Sequence, residues 1–415
     1  MSSTRTAALV LALLTLGLYG HTLSYGLVWD DFAALRPRPI AALLGAWTGA
    51  WDPDGIWPMY YRPLSIALYD GMFRWLGHNT AALHAVNLAG VFGAAMLLRT
   101  FVVRETRSAI VGLCAGALLV LHPETPASLA AWISQQFHLA ALLAVLAALL
   151  TWQHMRHEAV TRWWLVLAVL TVGLLVKEDV LMVAPTLLVW QAMRARLARD
   201  VPRPSRGIVT MVAVWIVGYV LWRTFALGPM AGYREQSASR LLLNMIDGPI
   251  FAFGLQWIPR AHVVSSASGA GVIVIAALAW RARAHARPDI VLLALYGVVL
   301  GFFANLPLVL ASGHTRLYLM IPAAAMTLAA LLSLAGTGLT AGGRRLTRAA
   351  LFALGVWLAA LGTANRLHTD AFSPCAPETL ERNHEATTWG VASDAVLKTI
   401  AADARACAIR EGARP

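Results

Sequence analysis

From Ala7 to Val28 the chain runs 22 residues without a single Asp, Glu, Lys or Arg. A helix of about 20 such residues reaches across the ~30 Å hydrocarbon layer of a bilayer, and it bonds all its own backbone groups on the way. Comparable runs centre on residues 83–103, 107–121, 138–154, 162–177, 180–194, 207–227, 268–283, 289–309, 316–336 and 347–366. The pattern predicts an all-α polytopic transmembrane bundle of about 11 spans, within a range of about 10 to 12. Residues 7–27 read as a retained anchor, because no small-residue cleavage site precedes Trp29-Asp30-Asp31. Composition agrees: hydrophobic residues make up 59% and charged residues 13%, where a soluble domain carries about 25% charged. So apolar a chain cannot stay disordered. Three cysteines among 415 residues exclude a disulfide scaffold.

The net charge of +12 does not mark a nucleic-acid binder here. Of 33 basic residues 31 are Arg, the exceptions being Lys177 and Lys398, and Arg in the loops of a membrane protein accumulates on the cytoplasmic side. With the N-terminus inside, and with 240–258 re-entrant or lying at the outer surface, the inner loops hold 17 basic and four acidic residues. The outer side holds 16 and 17. Residues 1–366 then form the membrane domain, with a large first outer loop at 30–80, and 367–415 an extracytoplasmic helical tail. Pro39–Trp51 reads as a short amphipathic helix on the membrane surface. Cys375 and Cys407 share the oxidising side, with 31 residues between them, and are expected to pair, whereas Cys114 lies within a span.

Charged residues at the outer span ends are the candidates for chemistry, since ionisable groups beside hydrocarbon are costly unless they are used. Asp30 and Asp31 follow the first span, and either could serve as general base or metal ligand, or remain a solvated loop start. Arg62, in Tyr60-Tyr61-Arg62-Pro63-Leu64-Ser65, offers a planar donor fork suited to phosphate. Lys177-Glu178-Asp179 interrupts an apolar stretch in a chain that otherwise uses Arg. His122-Pro123-Glu124 and Trp132–His138 form another outer loop, whose spacing is not that of a zinc site. His314-Thr315-Arg316-Leu317-Tyr318 opens the tenth span.

In this order the motifs resemble the GT-C superfamily of membrane glycosyltransferases. They are most similar to the bacterial relatives of protein O-mannosyltransferases and to the membrane part of tetratricopeptide-bearing mannosyltransferases. The similarity runs from about Thr6 to Leu334. Its most specific pieces are Val28-Trp29-Asp30-Asp31, Tyr61-Arg62-Pro63-Leu64-Ser65 and Leu83-His84-Ala85-Val86-Asn87-Leu88. The resemblance implies a polyprenyl-phosphate sugar as lipid donor, Asp30 or Asp31 as base, and Arg62, Lys177 and Arg316 as phosphate ligands. Tyr61, His122, Glu124, Glu178, His314 and Tyr318 are further substrate-binding candidates. No metal is required, because the cations can play that part, although a divalent cation is compatible with the set. The sequence departs from the family where Ser128 stands in place of a Glu, Gln135-Gln136 in place of Gly-Arg, and Thr315 in place of a Glu.

The expected function is therefore an inverting transferase in a bacterial inner membrane, its site facing outward, acting on an acceptor that the sequence does not identify. Two rivals stand beside it: an O-antigen polymerase or ligase, and a transporter or flippase. A transporter would place its charges at the bilayer midplane, often with paired halves.

Overall fold

A computed structural model describes residues 3–28, 31–50, 60–156, 162–228, 287–310, 318–342 and 344–370, together with Ser373, Cys375, Ala376, Thr379, Leu380, Asn383 and Cys407. Asp30, His314 and Arg316, the segment 240–258 and the expected span at 268–283 lie outside the described residues.

The described residues are helical and contain no strand. In chain order the helices are α1 Ser3–Tyr19, α2 Asp31–Ala34, α3 Ile40–Gly45, α4 Pro63–Leu76, α5 Thr80–Thr106, α6 Ala109–Leu121, α7 Gln136–Met155, α8 Trp163–Val176, α9 Val183–Leu197, α10 Arg206–Leu227, α11 Pro288–Leu310, α12 Met320–Gly342 and α13 Arg344–Asp370. Four helical segments are long and apolar enough to cross a membrane: Thr4–Ser24, Thr80–Thr106, Ile133–Met155 and Arg206–Leu227. Four apolar helices are shorter: Ala109–Leu121, Trp163–Val176, Pro288–Phe303 and Met320–Ala335.

Local chemistry sets the helix ends. Asn79, Ser108 and Ser205 accept the backbone N–H groups of Ala82, Val111 and Ile208, and so cap α5, α6 and α10. Pro63 stands in the first turn of α4, where its missing N–H costs nothing. Within the long helices Thr15, Thr100, Thr151 and Thr171 return their hydroxyls to carbonyls one turn back. These four hydroxyls need no water.

Helix α5 is the hub, packed on α1, α6, α7 and α11, while α12 lies against α6 and α11. Helices α11 and α12 cross closely at Gly297. A Cβ added at Gly297 would collide with Thr327 Oγ1 and with the Ala323 carbonyl, and would lie 2.9 Å from the Thr327 backbone nitrogen. Helix α10 rests more lightly on α8 and α9, with Val214, Leu221 and Phe225 exposed.

The two ends of the bundle differ. At one end Glu105, near the end of α5, is bonded by Arg156 and by Arg194 Nη1 at 2.6 Å, and Gln153 donates to it as well. Arg194 also bonds Asp200, and Arg287 donates to the Thr106 carbonyl at 3.0 Å. At the other end the start of α5 meets the segment between α6 and α7, and the candidate site lies there. Within residues 30–80 the helix expected over Pro39–Trp51 is shorter than that range. Helix α3 spans six residues, with Ile40 and Leu44 exposed. The loop also holds the 14-residue α4, which buries Ile66 and Tyr69.

Candidate functional site

The segment after α6 is built into the protein rather than standing out as a loop. Ser128, Leu129, Ala130, Trp132, Ile133 and Ser134 are all buried. The Leu83–Asn87 turn of α5 seats it: Asn87 Nδ2 donates to the carbonyls of Ala130 and Trp132 at 3.1 and 3.2 Å, and Gln136 Nε2 donates back to the Leu83 carbonyl at 3.2 Å. His84 is fully buried beside them, edge-on to Tyr25. The motif read in the sequence as Leu83–Leu88 therefore supplies the groove in which residues 130–136 lie.

Asp31 docks onto that segment. It is fully buried, and its two oxygens accept the backbone N–H groups of Val28 at 2.8 Å and Ser134 at 2.5 Å. Tyr69 of α4 donates to the Ser134 carbonyl, so one residue is held from both sides. The short helix that Asp31 opens is clamped at its other end by Arg38. That guanidinium donates to the carbonyls of Ala34 at 2.8 Å and Ala33 at 3.1 Å. The Arg38 backbone N–H is bonded in turn to Asp70 Oδ1 at 2.8 Å, and Asp70 Oδ2 accepts Arg74 Nε at 2.6 Å.

About one helical turn (~5 Å) beyond Ser134 comes Phe137, under two cations from distant parts of the chain. The Arg62 guanidinium carbon lies 5.0 Å from the Phe137 ring centre and 3.9 Å from that of Tyr60. Lys177 Nζ lies 5.4 Å from Phe137 and 5.8 Å from Tyr318. Tyr318 stacks on His138 at 5.0 Å. Both cations are buried, at 4% and 1% exposure. Aromatic faces favour a desolvated cation but do not neutralise it. Carboxylates do that here: Arg62 Nε is 2.8 Å from Glu178 Oε2, and Lys177 Nζ is 3.3 Å from Asp179 Oδ2. The other Glu178 oxygen accepts the Tyr61 backbone N–H at 3.1 Å. Burial alone would raise the Glu178 pKa, but the positive charges of Arg62 and Lys177 more than offset it and hold the value below 4.5. Ser65, in the first turn of α4, donates to the Val176 carbonyl at 2.8 Å and holds the two strips of chain together.

Of the residues singled out from sequence, Tyr61, Arg62, Lys177, Glu178 and Tyr318 come together, and Asp31 adjoins them through Ser134. The Tyr61 hydroxyl donates to the Trp47 carbonyl at 3.0 Å and accepts Trp222 Nε1 at 2.6 Å, which links α3 and α10 to the site. His122 and Glu124 belong to a second group. His122 Nδ1 accepts the Glu124 backbone N–H at 3.1 Å, and Asn365 of α13 donates to the His122 carbonyl at 3.0 Å. Asn365 also bonds the Tyr19 hydroxyl at 2.6 Å, and Tyr19 donates to the Val120 carbonyl at 2.5 Å.

The sequence reading did not single out Phe137, Tyr69, Arg38 or Asp70. A Phe-His pair at the start of an apolar run was the one signal that could have marked Phe137. Among the described residues no group of three or more His, Cys, Asp or Glu is placed to hold a metal ion. Around Phe137 and Ser134 the described residues thus bring together two buried cations, their two carboxylates and a buried Asp that accepts main-chain N–H groups. Such a set can accept a phosphate by exchanging internal carboxylates for it. No protein-family model matches the sequence, nor does any curated protein or solved structure.

Proposed function

We propose that this chain is an inverting membrane glycosyltransferase of GT-C type, with about eleven spans, using a polyprenyl-phosphate sugar. The observation that carries the reading is the burial of Arg62 and Lys177 against one Phe137 ring, beside the Asp31 segment. Arg316, two residues before Tyr318 in sequence, is assigned to the same phosphate site, and Tyr61, His314 and Tyr318 to other substrate contacts.

Both Asp31 oxygens already accept main-chain N–H groups, so Asp31 is assigned a positioning role and the base role falls to Asp30. In the reaction the Asp30 carboxylate takes the proton of the acceptor hydroxyl. The acceptor oxygen bonds to the anomeric carbon, and the bond from that carbon to the phosphate oxygen breaks. The polyprenyl phosphate leaves with the electron pair. Arg62 and Lys177 hold the charge that grows on it, the kind of contribution that is usually largest in catalysis. Glu178 and Asp179 keep the cations in place while the donor is absent. The site faces the outside of a bacterial inner membrane, with 1–366 as the catalytic domain and 367–415 as an external tail.

The test uses membranes containing the protein and a radiolabelled hexose on polyprenyl monophosphate. Label should move from the lipid extract into an envelope acceptor. Arg62→Gln and Lys177→Met should each slow this about 100-fold or more, the scale for losing a charge-stabilising group. Label that stays on its carrier, or that only changes sides of the membrane, overturns the reading and favours a transporter.

A further inference from the structure

Five arginines are buried among the described residues: Arg38, Arg62, Arg99, Arg156 and Arg194. Four of them bond a carboxylate or main-chain carbonyls within the protein. Arg99 does not. It is 5% exposed, its Nε is buried without a partner, and among the described residues no group bonds its guanidinium. The nearest acid along the helix is Glu105, whose oxygens are taken by Arg156, Arg194 and Gln153. A buried charge without a counter-charge is strongly unfavourable, so a counter-ion from outside the chain is called for.

The position of Arg99 says what kind. Its stem lies on the first turns of α6, where a Cβ at Gly112 would be 3.4 Å from Arg99 Cγ and 3.0 Å from the Arg99 carbonyl oxygen. The N-terminus of α6, with its positive end of the helix dipole, faces the same end of the bundle. Exposed Arg104 and Arg107 follow at that end, away from Arg62 and Lys177. Helix α5 has 27 residues, about 40 Å, of which about 30 Å fills the hydrocarbon layer. Arg99 lies seven residues before the end of α5, about 10 Å along the axis, and so about 5 Å below the boundary. An arginine that deep can extend to the headgroup phosphates.

We propose that Arg99 holds the phosphate of a membrane phospholipid at the end of the bundle opposite the Arg62–Lys177 site. The inference rests on the membrane reading and is independent of the transfer chemistry. A phosphodiester presents two oxygens to the planar fork. It also supplies the negative charge that no described residue places there.

The full-length protein, with Arg99→Leu and Arg99→Lys variants, would be purified in neutral detergent and examined by native mass spectrometry and thermal unfolding. Micelles would be doped with phosphatidylglycerol or phosphatidylcholine, and a lipid-free arm would receive inorganic phosphate. The wild type should retain one phospholipid that Arg99→Leu holds at least roughly tenfold more weakly, a usual loss for a charge-assisted contact. Added lipid should raise the unfolding temperature of wild type and Arg99→Lys but not of Arg99→Leu. Arg99→Leu should itself fold, because it removes an unpaired buried charge. Equal lipid retention in wild type and Arg99→Leu overturns the proposal. An equal rise with inorganic phosphate alone overturns the lipid source in favour of a soluble anion.

Discussion

Asp30 and Asp31 are adjacent, yet their proposed duties differ, and paired variants separate them. Asp30→Asn should lower sugar transfer by about 100-fold or more, the scale of general-base loss, and leave unfolding unchanged. Asp31→Asn replaces an acceptor-only side chain with one that also donates. It should lower stability by roughly 1.5–3 kcal/mol, as expected for hydrogen bonds to a charged group. If Asp31→Asn is fully stable and Asp30→Asn fully active, both assignments are wrong. Glu178 gives a pH signature. Its folded pKa lies below 4.5, the ordinary value. The stability from its contact with Arg62 is therefore complete above that pH and is lost as pH falls through the folded value. The unfolding temperature of the wild type should fall in acid below pH 4.5. Glu178→Gln should start lower, by roughly 3 kcal/mol for a broken buried pair, and show a shallower acid fall. At this scale much of the site was legible, because Arg62, Lys177 and Glu178 are costly residues inside apolar sequence. Their mutual partners were not legible. Nothing in the local sequence says that residue 62 pairs with residue 178, because tertiary contact alone decides it.

Among the elements, most long helices were readable from apolar runs: the expected spans at 83–103 and 138–154 fall on the long helices α5 and α7, whereas the one at 107–121 falls on α6, a shorter helix of 13 residues. Helix α4 was missed because Tyr69, Asp70 and Arg74 break its apolar run. Those same residues explain why it matters. Asp70 ties α4 to Arg38, and Arg38 ties down the carbonyl end of the helix that Asp31 begins. Arg38→Gln should loosen that helix without touching the cations. Backbone amides of residues 31–38 should exchange hydrogen faster, and transfer should slow with donor affinity little changed. Unaltered exchange would remove the clamp from the account. The α11–α12 crossing allows a separate check. Gly297→Ala pushes a methyl group against the main chain of α12 and should cost about 1–3 kcal/mol of stability. Gly218, with nothing within 4 Å of an added Cβ, should accept Ala with little change.

Over the whole molecule, the pairing expected for Cys375 and Cys407 is present, with Cα atoms 5.3 Å apart. Which side of the membrane it occupies follows from the proposed span count. An odd number puts the tail outside, so cysteine labelling of intact cells should require a reductant but no permeabilisation. A requirement for permeabilisation would replace eleven with an even number. The Arg bias of the loops is the basis of this proposed orientation, whereas the internal bonding of Arg156 and Arg194 was hidden, because a counted loop charge looks the same whether it is solvated or buried. The contact between Tyr19 and Asn365 joins residues 346 positions apart. A ribosome adds about 5–20 residues per second, so Tyr19 is made roughly 20–70 s before its partner. Through that interval the carbonyls of Val120 and His122 also lack Asn365. The bundle must therefore wait in the membrane with one seam open, and a chain truncated before α13 should be the form that cellular quality control removes.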